Sequence, residues 1–124
     1  MMKLFLLLGA ALAMLSVILG AFAAHGLKQK LPENLLSAFS TGVEYQFFHA
    51  LALILIVILA KLFPHHLWTW SASLMLAGIV CFSGSLYALS LSGIKWFGPI
   101  TPLGGLLFIA GWAVMLAAIN KGYQ

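Results

Sequence analysis

Residues 4–24 read LFLLLGAALAMLSVILGAFAA, without a single charged or amide side chain. A helix needs about 20 mostly apolar residues to cross about 30 Å of hydrocarbon, so this stretch predicts a membrane span. Three further runs follow at residues 40–63 (most apolar from Tyr45), 67–91 and 102–119. Each must be helical, because an open strand would leave backbone N–H and C=O groups unpaired in lipid. The expected fold is an all-α membrane protein, a compact antiparallel bundle of four transmembrane helices forming one domain over residues 1–124.

Composition requires the same solvent. Of the 124 residues 64% are hydrophobic and 6% charged, against about a quarter charged in a soluble domain. A soluble fold this small could not hide that much apolar surface. The net charge of +4 comes from scattered lysines, without arginine and without a basic stripe, which excludes nucleic-acid binding. The expected surroundings are the lipid bilayer, with a second copy or another membrane protein as the possible partner. Lysines near span ends read as snorkelling anchors.

Polar and helix-breaking residues punctuate the spans. Lys28-Gln29-Lys30 with Pro32-Glu33-Asn34 separates the first pair, Phe63-Pro64-His65-His66 the second, and residues 93–99 the third. Thr101-Pro102 reads as N-cap and first helical residue of span four. Trp68, Trp70 and Trp96 fall near span ends, as interfacial anchors do, whereas Trp112 needs a partner for its indole N–H inside the bundle. The lone Cys81 can form no intramolecular disulfide and reads as a small packing residue.

The first span also resembles a cleavable signal peptide, but its apolar run exceeds the usual ~7–15-residue signal core. It carries a packing stripe too: Gly9, Ala13, Ser16, Gly20 and Ala24 share one helix face. Small residues so aligned let backbones approach closely in lipid. A bulky residue at Gly20 should therefore be worse tolerated than one at Leu7. Gly84 in span three, on a face with Ala77, Cys81, Ser85, Ala88 and Ser92, and Gly104 and Gly111 in span four are expected to pack likewise.

Four crossings put the first and third loops on one side, and most unusual polar residues lie towards it. His25 ends span one; Glu44, Tyr45 and His49 enter span two; Ser83 and Tyr87 approach in span three; Thr101 opens span four. Because charge and unpaired polarity are costly against lipid, these residues should turn inward and form one connected cluster. Such a cluster serves either a structural or assembly role or a pathway for a small solute, ion or proton.

Other chemistry finds less support. His25, His49 and Glu44 could offer nitrogen and oxygen ligands, but no two histidines within a span have i, i+3 or i+4 spacing, and His65-His66 lies at the opposite edge. No metal site and no cofactor is expected. Ser83 with His49 and Glu44 has the residue types of a hydrolytic triad but lacks a Gly-x-Ser-x-Gly elbow, and no Walker loop or dinucleotide fingerprint occurs. A membrane-embedded enzyme or metal-binding protein is therefore the alternative reading.

Five blocks, Gly20-Ala21-Phe22-Ala23-Ala24-His25-Gly26-Leu27, Glu44-Tyr45-Gln46-Phe47-Phe48-His49, Phe82-Ser83-Gly84-Ser85-Leu86-Tyr87, Thr101-Pro102-Leu103-Gly104-Gly105 and Gly111-Trp112, cover nearly the whole chain. In these blocks it resembles the bacterial inner-membrane proteins typified by YgdD. Ala23 stands where that family has a glycine, a small-for-small change. The resemblance implies a four-pass protein of the bacterial inner membrane and supplies no activity. Lys3, Lys61 and Lys121 on the terminal side balance Lys28, Lys30 and Lys95 on the other. A free amino terminus tips the count towards cytoplasmic termini.

Overall fold

Proline and glycine, together with short polar stretches, set where each helix stops. The computed structural model describes residues 1–123, and among these there are four helices long and apolar enough to cross a membrane. The first is α1 (Met2–His25), continued by a 3₁₀ turn at Leu27–Gln29. The second is α2 (Glu33–Leu62). The third is one rod of three parts: α3 (Leu67–Gly78), a π-helical turn (Ile79–Ser83) and α4 (Gly84–Ser92). Gly93, left-handed with φ of 71°, ends it, as glycine does at helix C-termini because it lacks a Cβ to clash. A 3₁₀ turn (Lys95–Phe97) leads into α5 (Ile100–Gly122).

Two boundaries differ from expectation. α2 starts at Glu33 rather than residue 40, directly after the extended Pro32. No proline stands between Pro32 and Pro64, so the helix runs on through polar residues that dilute the hydropathy signal. Thr101 does not cap α5, which starts at Ile100 with Pro99 before it.

Helix α2 packs against α1 on one side and the third span on another, and α5 packs on α3 and the π turn. One apolar core joins Phe5, Leu53, Ile56, Trp68, Met75, Phe108 and Met115. A second, towards the first and third loops, joins Ala23, Leu27 and Phe39, with Tyr87 against it. Trp68 corrects its expected interfacial role: it is fully buried and its indole N–H donates to the Phe63 carbonyl at 2.8 Å. Trp70 and Trp96 are exposed.

The stripe on α1 exists but is rotated. Its buried positions are Phe5, Gly9, Ser16 and Ala23, with Ala13 and Gly20 half-buried, while Ala24 is exposed. A Cβ on Gly9 would lie 2.9 Å from the Ala50 carbonyl oxygen, so the two backbones touch there. At Gly20 it would meet only Val43, at an ordinary 3.5 Å. A Cβ on Gly104 would run into the backbone of Phe82, and one on Gly111 would lie 3.1 Å from the Met75 thioether sulfur. Nothing lies within 4 Å of a Cβ on Gly84, so that glycine is not at a helix contact. The π turn adds a residue to one turn of the third span, which breaks the 3.6-residue register used to align Gly84 with Ala77 and Cys81.

Candidate functional site

Polar groups inside the bundle form separate networks, not the single cluster expected, and three of these hold residues of that expected cluster. The deepest centres on Gln46, which is 2% exposed. Its side-chain N–H donates to the Leu12 carbonyl of α1 at 2.9 Å, and its Oε1 accepts from the Tyr87 hydroxyl of α4 at 2.6 Å. The Leu12 carbonyl also accepts from Ser16 Oγ at 2.8 Å. Tyr87 packs on Phe39 with ring centroids 5.0 Å apart, and Ser83 Oγ donates to the Gly42 carbonyl at 2.7 Å. A Cβ on Gly42 would lie 2.8 Å from the Tyr87 ring, so glycine makes room for it. Three spans are thus tied together through one amide.

His49 anchors the second network near the middle of α2. Its Nδ1 lies 2.7 Å from the Tyr45 carbonyl, which can only accept, and its Nε2 accepts the Trp112 indole N–H at 3.1 Å. These partners fix the neutral tautomer with the proton on Nδ1. Phe108 stacks on the imidazole with centroids 3.6 Å apart, and Phe82 and Tyr45 complete the aromatic layer, 4.7 Å apart. Both ring nitrogens are occupied, leaving no lone pair for a metal or substrate. The third network is the pair Ser85 and Thr101, whose hydroxyls lie 2.6 Å apart and join α4 to α5.

His25 and Glu44 belong to none of these. His25 is exposed, with its Nδ1 2.9 Å from the Ala21 carbonyl of its own helix. Glu44 is exposed, and its carboxylate has no hydrogen-bond partner among the described residues. The expected inward Glu44 is therefore corrected. His49 is five residues further along, about 140° round the helix at 100° per residue. A polar face that wide reaches both the core and the lipid.

Around Glu44 runs a groove between α1 and α2 of about 270 Å³, lined also by Gly20, Ala23, Ala24, Lys28, Leu36, Ser40 and Val43. An adjoining hollow adds Ser16, Val17, Phe47 and Phe48. α2 has 30 residues and is about 45 Å long at 1.5 Å per residue. A hydrocarbon layer of about 30 Å centred on it leaves Glu44 roughly 9 Å inside the boundary. Its groove neighbours Ser16 and Gly20 lie within the apolar run of α1, which supports the same depth.

Ser83 donates to a backbone carbonyl, so Ser83, His49 and Glu44 make no triad. Among the described residues there is no group of three or more His, Cys, Asp or Glu able to hold a metal ion. His65 and His66 stack on each other at the opposite edge with centroids 4.5 Å apart. Gln46 is the residue that sequence reasoning missed. Its signal was an amide in an apolar run, on the face of Phe39, Gly42 and Leu53.

Residues 19–105 match the family model described as "Protein of unknown function (DUF423)". The UPF0382 membrane protein YwdK of Bacillus subtilis is 50% identical over 121 residues, covering 97% of this chain and 98% of the relative. The UPF0382 membrane protein SH2409 of Staphylococcus haemolyticus is 46% identical over 120 residues, covering 97% and 98% respectively. No solved structure matches.

Proposed function

Because the chain belongs to the DUF423 family, whose bacterial relatives are named membrane proteins, we propose that it is a non-enzymatic membrane subunit acting by lateral association. Its narrower likeness to the YgdD type, its residence in the inner (cytoplasmic) membrane and its cytoplasmic termini belong to the same reading. One observation carries it: the Glu44 carboxylate, within the apolar length of the bundle, lies exposed in the open groove between α1 and α2 with no hydrogen-bond partner among the described residues. A charged side chain costs about 2.5–3.5 kcal/mol at the centre of a membrane helix, and such residues are usually turned inward and paired. A protein face laid over α2 would supply what the fold leaves out.

The pathway reading has less support. A relay needs groups free to exchange partners, whereas Gln46, Tyr87, His49 and Trp112 hold one another and backbone carbonyls. Among the described residues no buried side-chain nitrogen or oxygen lacks a partner. Satisfied polar networks of this kind fix helix register.

The test is a photoreactive residue in place of Leu51, on the same side of α2, irradiated in native membranes. Lateral association predicts a discrete protein adduct that weakens in the Glu44→Leu background. Labelling of lipid alone would contradict it.

A further inference from the structure

We infer that the groove between α1 and α2 is a binding site for a membrane-borne ammonium amphiphile, its N–H-bearing cation on Glu44 and Ser40 and its apolar tail in the hollow beyond them. Such a ligand goes beyond lateral association and needs no partner protein, although ligand and partner would compete for one carboxylate.

Counted inward from the first loop, the cavity is polar and then apolar. Gly20, Ala23 and Ala24 of α1 leave a floor without bulky side chains, and Ser40, Val43 and Glu44 of α2 form the facing wall. Beyond Glu44 lies the hollow of about 220 Å³, walled by Val17, Phe47 and Phe48. Val43 and Glu44 line both parts, so the two are continuous. Ser16 also borders the hollow, but its hydroxyl is already spent on the Leu12 carbonyl. A cation held at Glu44 therefore has aliphatic and aromatic walls on its inner side, where a hydrocarbon tail fits better than water.

The groups left without partners say what the ligand carries. Ser16, Thr41, Ser73, Ser90 and Ser92 each donate to the carbonyl four residues back in their own helix. Ser40 makes no such bond among the described residues and lines the groove instead, one turn and about 6 Å outward of Glu44. The Ser40 hydroxyl oxygen and the Glu44 carboxylate are thus two acceptors without a donor. An ammonium bearing N–H groups serves both, and its charge suits the carboxylate. Lys28 decides the route of entry. It lines the same groove at the end nearest the first loop, where its like charge opposes a cation arriving from water. The side of the groove at Val17, Ala24, Glu44 and Phe48 is exposed and opens on lipid. The cation that reaches Glu44 is one that an apolar tail has carried into the membrane.

The experiment uses the full chain, a single copy per nanodisc of phosphatidylcholine, and dodecylamine with a photoreactive diazirine in its tail. Saturable labelling of the peptide holding Phe47 and Phe48 is expected. Unlabelled dodecylamine should compete, and dodecyltrimethylammonium, which has no N–H, only at about tenfold higher concentration. Dodecanol and dodecyl sulfate should not compete. Labelling should fall about tenfold or more in Glu44→Leu and by less in Ser40→Ala. Ala24→Leu, which fills the groove from an exposed position, should abolish it, and Leu106→Ala on the exposed face of α5 should leave it unchanged. Labelling that never saturates, or that survives Glu44→Leu, would mean partitioning into the disc alone and overturn the site. Equal competition by dodecyltrimethylammonium would overturn the recognition through N–H groups. Coupled stabilities of Lys28→Gln and Glu44→Gln in the ligand-free protein would mean that a direct ion pair closes the groove, and would overturn the site as well. Lateral association is read separately, from the protein adduct at Leu51, and stands or falls without these results.

Discussion

Gln46 holds the interior together more than any ionisable side chain does. Its amide uses an N–H on α1 and its carbonyl on Tyr87, so Gln46→Leu strands the Tyr87 hydroxyl and cuts the tie to α1, although the Leu12 carbonyl keeps Ser16 Oγ. Buried groups stranded in this way cost about 1–3 kcal/mol. Tyr87→Phe removes one bond, and hydrogen bonds in membrane bundles average about 0.6 and reach about 1.7 kcal/mol. A double-mutant cycle followed by detergent unfolding should therefore give a smaller loss for Tyr87→Phe than for Gln46→Leu, with clear coupling between them; additive losses would contradict the bond. Trp112→Phe keeps the ring and removes the donor to His49, so it should cost less than about 2 kcal/mol by the same assay. The sequence already demanded an interior partner for the Trp112 indole. It did not single out Gln46, because charge was weighed above an uncharged amide whose demand for partners in lipid is equally firm.

Helix packing depends on a few close approaches. Gly9 sits on the Ala50 carbonyl, whereas Gly20 has room for a methyl beside Val43. Gly9→Leu should destabilise by about 1–3 kcal/mol or more, and Gly20→Ala should change stability by less than about 0.5 kcal/mol. Thermal unfolding in detergent checks both, and equal tolerance at the two sites would refute the contact. The four spans were legible because apolar length alone decides them, whereas small residues recurring on α1 did not tell the close contact at Gly9 from the open space at Gly20 or the exposed Ala24. Span three was read less well. Its π turn cannot be seen in composition, and it brings Phe82 against Gly104 and into the aromatic layer beside His49, while Gly84 loses any neighbour.

At the scale of the molecule, an even number of crossings sets the two termini and the second loop on one membrane face, opposite the first and third loops. Both glutamates belong to the half nearer the first and third loops, with Glu33 opening α2 and Glu44 within it. The fold was legible because lipid permits few alternatives; the orientation of α2 was not, because a 140° polar face spans its inner and outer surfaces. A carboxyl-terminal reporter should be active in the cytoplasmic form only, and activity on the far side would reverse the orientation. The account turns on Glu44 facing out while Gln46 faces in. The direct measurement is the unfolding free energy of Glu44→Leu and Gln46→Leu, each in detergent dilute enough to hold the chain as a monomer. The predicted result is an unchanged or more stable Glu44→Leu, since it removes a carboxylate from an apolar surface, beside a Gln46→Leu weakened by about 1–3 kcal/mol. A Glu44→Leu variant destabilised as much as Gln46→Leu would mean that the carboxylate belongs to the interior, and would contradict the account.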